Sequence, residues 1–305
     1  MSRPLGPAAA ILLALAVAAC RSGGGITPIR TPFNKGVYHH SRGDLDSAIA
    51  EYRAAIEDDP DDFRSRFNLA IALESKADGA AGEDEARALR DEASAAYLAI
   101  LDRRPGDLRA EVNLAAAEYR DGDRDEAKRR LAETIDRHPG AALPRTALAA
   151  HLLAEGDAEG ARRLLEGALA ADPSGVAASM LLGDALAALG RADAARAAYR
   201  RALDREPDDV ATLLAVARLE ESEGRTPEAR VALDRVLLID PDHAGAHRLR
   251  AGVAEREGDL EGAVLHLWRA RDLRGGAGDD AAIAAKLNDL YRRLLAAEGE
   301  DGGGG

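Results

Sequence analysis

The sequence predicts an all-α array of about seven helix–turn–helix repeats. Two sets of helix breakers and an unusual composition carry that expectation. Prolines stand at Pro60, Pro105, Pro139, Pro173, Pro207 and Pro241, the last five spaced by 34 residues and the first gap longer by eleven. Glycines at Gly122, Gly156, Gly190, Gly224 and Gly258 keep the same interval. Proline cannot continue a helix and glycine tolerates the left-handed cap that ends one, so the two sets mark alternate helix ends. Hydrophobic residues make up 46% of the chain but aromatic ones only 3%, which leaves an aliphatic, alanine-rich core suited to closely packed helices.

The first element is an address. Residues 1–19 open with a single charge, Arg3, followed by the apolar run "AAAILLALAVAA" from Ala8 to Ala19. Twelve residues span about 18 Å as a helix, short of a hydrocarbon core of about 30 Å. The segment therefore reads as a secretory signal and not as a membrane span. It ends on Val17, Ala18 and Ala19 directly before Cys20, the only cysteine of the chain. "VAAC" resembles the lipobox of bacterial lipoproteins. That resemblance implies a diacylglycerol on the Cys20 sulfur, an acylated mature N-terminus, and a lipidated linker over residues 20–28. Each buried methylene contributes about 0.8 kcal/mol, so several chains make a lasting anchor. By the same resemblance, Arg21 in place of an aspartate implies sorting to the outer membrane. Having no further cysteine suits an oxidising compartment.

The array follows over residues 29–275. A small residue recurs in each first helix at Gly36, Ala70, Ala115, Ala149, Gly183, Ala217 and Ala251, and in each second helix at Ala48, Ala93, Ala127, Ala161, Ala195, Ala229 and Ala263. One turn beyond the second set, on the same face, stand Tyr52, Tyr97, Leu131, Leu165, Tyr199, Leu233 and Leu267. Small residues let paired helices approach, and the large one fills the groove of its neighbour. Acids beside the prolines, such as Asp61, Asp208 and Asp242, are expected to favour the next helix start. A 34-residue helix–turn–helix unit with this pattern resembles the tetratricopeptide repeat. The resemblance covers about four fifths of the chain and implies a right-handed α-solenoid whose first helices line a concave groove.

The eleven extra residues fall within "ESKADGAAGEDEARALRDEA" (74–93), which predicts a longer turn and a second helix that starts early. The seventh repeat is irregular, with Arg250 at an apolar position and Gly275 in place of the proline. Residues 276–297 are expected to supply a capping helix, with Ile283, Leu287, Leu290 and Leu294 on one stripe covering the last apolar face. The acidic, glycine-rich residues 298–305 read as a disordered tail.

A net charge of −13 argues against a general nucleic-acid binder. No phosphate-binding loop, nucleophile elbow or HExxH motif is present, so the sequence predicts no enzyme, no cofactor, no metal and no small-molecule substrate. His243 and His247 share a spacing of four but lack the zincin glutamate, and they read as a solvated helix start. His39 and His40 point to different sides of a helix.

One pattern stands out against the acidic background. The first three repeats open "RTPFN" (30–34), "RSRFN" (64–68) and "RAEVN" (109–113). Arginine and asparagine at i and i+4 share a helix face. Stacking would give a ladder of Arg30, Arg64 and Arg109 with Asn34, Asn68 and Asn113, flanked by Phe33, Phe67 and Val112. An asparagine amide can read a peptide backbone, and arginine adds charge-assisted bonds to carboxylates. In residue types only, this resembles the clamps and asparagine ladders with which some family members hold extended peptides. The competing structural reading is that the asparagines cap or bridge helices and the arginines lie over apolar neighbours. Repeats four to six carry Ala147, Leu181 and Ala215 at the asparagine position, predicting an apolar groove there. The expected function is a membrane-anchored interaction scaffold in the bacterial envelope, periplasm-facing at the outer membrane, that assists assembly of an outer-membrane machine. The alternative is an adaptor that recruits peptidoglycan hydrolases or proteases.

Overall fold

The computed structural model describes residues 31–273 and 280–301. Cys20, Arg30 and Gly275, with the signal and linker segments, lie outside the described residues. Those described form fifteen α-helices and no strand: α1 (Pro32–Ser41), α2 (Leu45–Asp58), α3 (Phe63–Asp78), α4 (Glu83–Arg103), α5 (Leu108–Asp121), α6 (Arg124–Arg137), α7 (Ala142–Glu155), α8 (Ala158–Ala171), α9 (Val176–Ala188), α10 (Ala192–Leu203), α11 (Val210–Ser222), α12 (Thr226–Ile239), α13 (Ala244–Glu257), α14 (Leu260–Leu273) and α15 (Asp280–Asp301). The first fourteen make seven pairs. Each predicted glycine closes the first helix of its pair at a φ between 69° and 101°, where a side chain would be strained. The second helices end a few residues before their prolines.

Two compact units divide the chain, residues 1–177 and 178–305. The first holds α1–α8. Its main cluster joins Ile49 and Tyr52 of α2, Leu69 and Leu73 of α3, Tyr97 and Ile100 of α4, and Leu114 of α5. Buried Glu74 of α3 accepts from Arg120 of α5 at 3.0 Å and from the Tyr97 hydroxyl at 3.3 Å, which ties the second pair to the third. The inserted residues lengthen α4 at its start, as predicted. Arg90 there bridges Glu83 and Asp121, and Ala86 is buried.

The second unit holds α9–α15. Its clusters join Leu213 and Ala217 of α11 to Leu233 and Val236 of α12, and Ala251 and Ala254 of α13 to Val264 and Leu267 of α14. Helix α15 lays Ile283, Leu287 and Leu290 on the latter cluster, with Leu294 at its edge. It runs on to Asp301, four residues into the expected disordered tail, and takes in Gly299. Trp268 of α14 donates its indole N–H to the Tyr291 hydroxyl of α15 at 2.9 Å, and Arg271 stands over its ring.

Three local expectations need correction. The helix starts after Pro60 and Pro207 are capped by Asp62 and Asp209, while Asp61, Asp208 and Asp242 pair with Arg103, Arg235 and Arg269 of second helices. A capping carboxylate must sit two or three residues before the N–H it accepts from, so the outer acids are left to the arginines. The histidine pair is not a solvated start. His243 does cap α13, accepting from the Ala246 N–H at 3.0 Å, but His247 is buried, 2.9 Å from His266 between ring Nδ1 atoms. Ala147 and Leu181 are fully buried and offer no groove surface; Ala147 packs with Val112, Ala115, Ala127 and Leu131. Arg250 meets its apolar setting by pairing with Asp234 at 2.8 Å.

Candidate protein-binding cleft

Three helix starts in the first unit build one cleft. Helix α1 is capped by Thr31, whose hydroxyl accepts from the Asn34 N–H at 3.3 Å, and Pro32 supplies the fixed φ that suits a first turn. Asp62 caps α3 by accepting from the Arg64 and Ser65 N–H groups, and Asp107 caps α5 by accepting from those of Arg109 and Ala110, both at 3.1 Å. Each cleft arginine therefore leaves its helix two residues after a capping carboxylate. Satisfying otherwise orphaned N–H groups holds those first turns in place.

The cleft has a volume of about 850 Å³. Its apolar lining comes from Phe33 and Val37 of α1, Tyr52 of α2, Phe63, Phe67 and Ile71 of α3, Ile100 of α4 and Leu108 of α5. Asn34, Asn68, Arg64, Arg109, His40, Ser41, Asp107, Gly106 and His138 supply the rest. Phe33 packs on Tyr52 with ring centroids 6.3 Å apart, and Phe67 meets Tyr97 edge-on at 5.7 Å. Arg64 reaches across from α3 so that its guanidinium carbon lies 5.0 Å from the centre of the Phe33 ring. It also pairs with Asp62 at 3.7 Å. Burial holds the His40 imidazole below its usual range.

Of the residues singled out in the sequence, Phe33, Asn34, Arg64, Phe67, Asn68 and Arg109 border this cleft. Arg30 lies outside the described residues. Val112 and Asn113 depart from the expected ladder. Val112 is buried with Ala115, Ala127, Leu131 and Ala147, because α6 and α7 cover the face that α1 and α3 leave open to the cleft. Asn113 turns back on its own helix and donates to the Arg109 carbonyl at 2.8 Å. Sequence reasoning passed over Phe63, Tyr52, Val37, His40, Leu108 and His138. The scarcity of aromatic residues was an available signal for Phe63. Nothing in the periodicity marked His138, which belongs to the turn after α6. Among the described residues, no cluster of three metal-ligating side chains occurs, and no helix is long and apolar enough to cross a membrane.

Family models described as tetratricopeptide repeat match residues 109–141, 152–219 and 187–253, and one described as TPR repeat matches 38–76. Together these matches span more than half of the chain. The chain belongs to the tetratricopeptide-repeat family. Among solved structures it is similar to a tetratricopeptide repeat protein from Parabacteroides merdae ATCC 43184, at 16% identity and a TM-score of 0.59, covering 85% of this chain and 97% of that one. It is similar also to a chain of the APC/C hetero-tetramer Cut9-Hcn1, at 17% identity and a TM-score of 0.54, covering 86% of this chain and 63% of that one. At such identities the likeness is one of fold. No curated protein matches the sequence. The tetratricopeptide-repeat fold is a protein–protein interaction scaffold, and proteins built from it are generally non-catalytic.

Proposed function

We propose that this protein is a lipid-anchored scaffold of the bacterial envelope that holds a protein segment in the cleft of its first three repeats. The cleft is the observation that carries the reading. It joins a large apolar floor to exposed arginines and to asparagine amides, the mixture that orients an extended peptide while burying its side chains. The anchor is Cys20, read from the apolar run and the small residues before it. Arg21 favours the outer membrane, with the array facing the periplasm. A tether of residues 20–28 then keeps the cleft near the surface on which outer-membrane machines are assembled, and recruiting their components is the role proposed here.

Two measurements test the parts separately. Cells expressing the full chain are labelled with radioactive palmitate and fractionated. Label on the wild type, and its loss together with release from the membrane in Cys20→Ala, is the expected result. An unlabelled wild type removes the anchor from the proposal. Cross-linking in envelopes then compares the wild type with Arg30, Arg64 and Arg109 all changed to Glu. A partner cross-linked equally to both places the binding surface outside the cleft.

A further inference from the structure

The chain spends its aromatic residues unevenly. It contains three phenylalanines in 305 residues, Phe33, Phe63 and Phe67, and all three line the same cleft. A solenoid core built on alanine and leucine has no need of them, and α5 fills the position equivalent to Phe67 with a buried valine. Phe33 and Phe67 occupy the same repeat position, each backed by a tyrosine of a second helix. The cleft floor thus carries two matched rings, one per repeat. At about 850 Å³ it has room for several bulky side chains and not for one alone.

The charges around the floor run against the rest of the molecule. Acidic residues outnumber basic ones by 54 to 41 in the chain, yet the cleft is bordered by two arginines and one carboxylate. That carboxylate, Asp107, is committed to capping α5. Arg109 is exposed and makes no ion pair among the described residues, and Arg64 stands over the Phe33 face, exposed and loosely paired at 3.7 Å with Asp62, a carboxylate already committed to capping α3. A basic peptide would bring its charge to these arginines without finding a free carboxylate. An acidic one meets two guanidinium forks at the edge of an apolar floor, where partial desolvation strengthens charge-assisted bonds.

Taking the cleft as the protein-binding surface proposed above, we infer that its partner is an acidic peptide segment with bulky apolar anchors. Aromatic or large aliphatic side chains enter onto Phe33 and Phe67, and neighbouring carboxylates meet Arg64 and Arg109. Apolar contact supplies most of the affinity; the carboxylates supply selection and orientation.

The test is a random peptide library displayed on phage and selected on the immobilised full chain. Selected clones are made as free peptides and titrated by fluorescence anisotropy against the wild type, Arg64→Glu/Arg109→Glu and Phe67→Ala. Circular dichroism verifies the fold of each variant; the arginines are exposed, so their reversal leaves the core intact. Enrichment of Asp or Glu beside Phe, Trp, Tyr, Leu or Ile is expected. The best peptide should lose about tenfold or more in affinity on arginine reversal, and bind more weakly as salt is raised. Peptides that depend on Phe67 but are neutral or basic, or are indifferent to the arginine reversal, overturn the inference while leaving the cleft as a binding surface. Peptides bound equally by all three proteins overturn the cleft itself.

Discussion

His151 shows how much a single residue can hold in reserve. Its ring is buried in α7, stacks on Tyr119 at 4.1 Å, and has no hydrogen-bond partner on either nitrogen among the described residues. Burial lowers its pKa from 6.5 to about 4, with Glu155 opposing and Lys128 adding to the shift. A base whose folded pKa is lowered contributes stability above its unfolded pKa and loses it as pH falls. The window here runs from about 6.5 down to about 4 and is worth on the order of 2–3 kcal/mol. His151→Phe keeps the stacking area and removes the titration, so it should gain that amount on the wild type between pH 7 and pH 4 in urea melts. A constant difference between the two proteins would refute the assignment. Gly183 makes the opposite point about packing. Replacing glycine by alanine inside a helix ordinarily gains about 1 kcal/mol. At Gly183 the added methyl would strike the Tyr199 ring, which is buried and held by a 2.7 Å bond from its hydroxyl to Asp184. Overpacking of this kind costs about 1–3 kcal/mol, so Gly183→Ala should destabilise in thermal melts, and a rise in midpoint would show that the ring yields freely.

At the scale of elements, caps separate helices that look alike in sequence. Asp107 and Asp123 precede successive helices, yet only Asp107 accepts backbone N–H bonds with its side chain. Asp107→Ala should therefore cost about 1 kcal/mol and Asp123→Ala a few tenths, measured by chemical denaturation of the full chain. Equal losses would mean that the first-turn charge, and not the hydrogen bond, carries the effect. Much at this scale was legible beforehand. The proline and glycine periods fixed seven pairs, and every small and large residue of the repeated pattern, from Gly36 to Leu267, is buried where the pattern put it. Periodicity reports which face is inward, and that is all a repeat core requires. It could not report what lies against the other face. Val112 and Asn113 match Phe67 and Asn68 in register but not in surroundings, because the residues that cover a face come from other helices. His138 escaped for a different reason: its equivalents in the other turns are Arg104, Asp172, Glu206 and Asp240, so no residue type recurs there to mark it. The cleft was half legible, through Arg64, Phe67 and their neighbours, since the fragments "RTPFN" and "RSRFN" repeat a chemistry as well as a spacing.

At the scale of the whole molecule, a repeat array is stabilised by contacts between neighbours, and its ends are where that support stops. Helix α15 closes the last pair with Leu290 wholly buried and Ile283 and Leu287 nearly so. Lys286 and Arg293 both reach Glu255 of α13, holding the helix at a second edge and keeping that carboxyl below its usual range. Leu290→Ala should cost about 2–5 kcal/mol, and removal of residues 280–305 should expose the α13–α14 cluster and reduce solubility. Sedimentation of the shortened chain checks this, and an unaltered monomer would deny α15 its covering role.

The contact between Trp268 and Tyr291 gives that closing helix its own optical reporter. Trp268 is the single tryptophan of the chain and stands half-exposed on α14 with its N–H held by α15. Its emission follows solvent reaching the α14–α15 junction, whereas far-ultraviolet dichroism sums over every helix of the chain. A solenoid that frays from this end would show a red shift in fluorescence before the ellipticity falls. The interval between the two curves would measure how cooperatively the final repeat is coupled to the pairs before it.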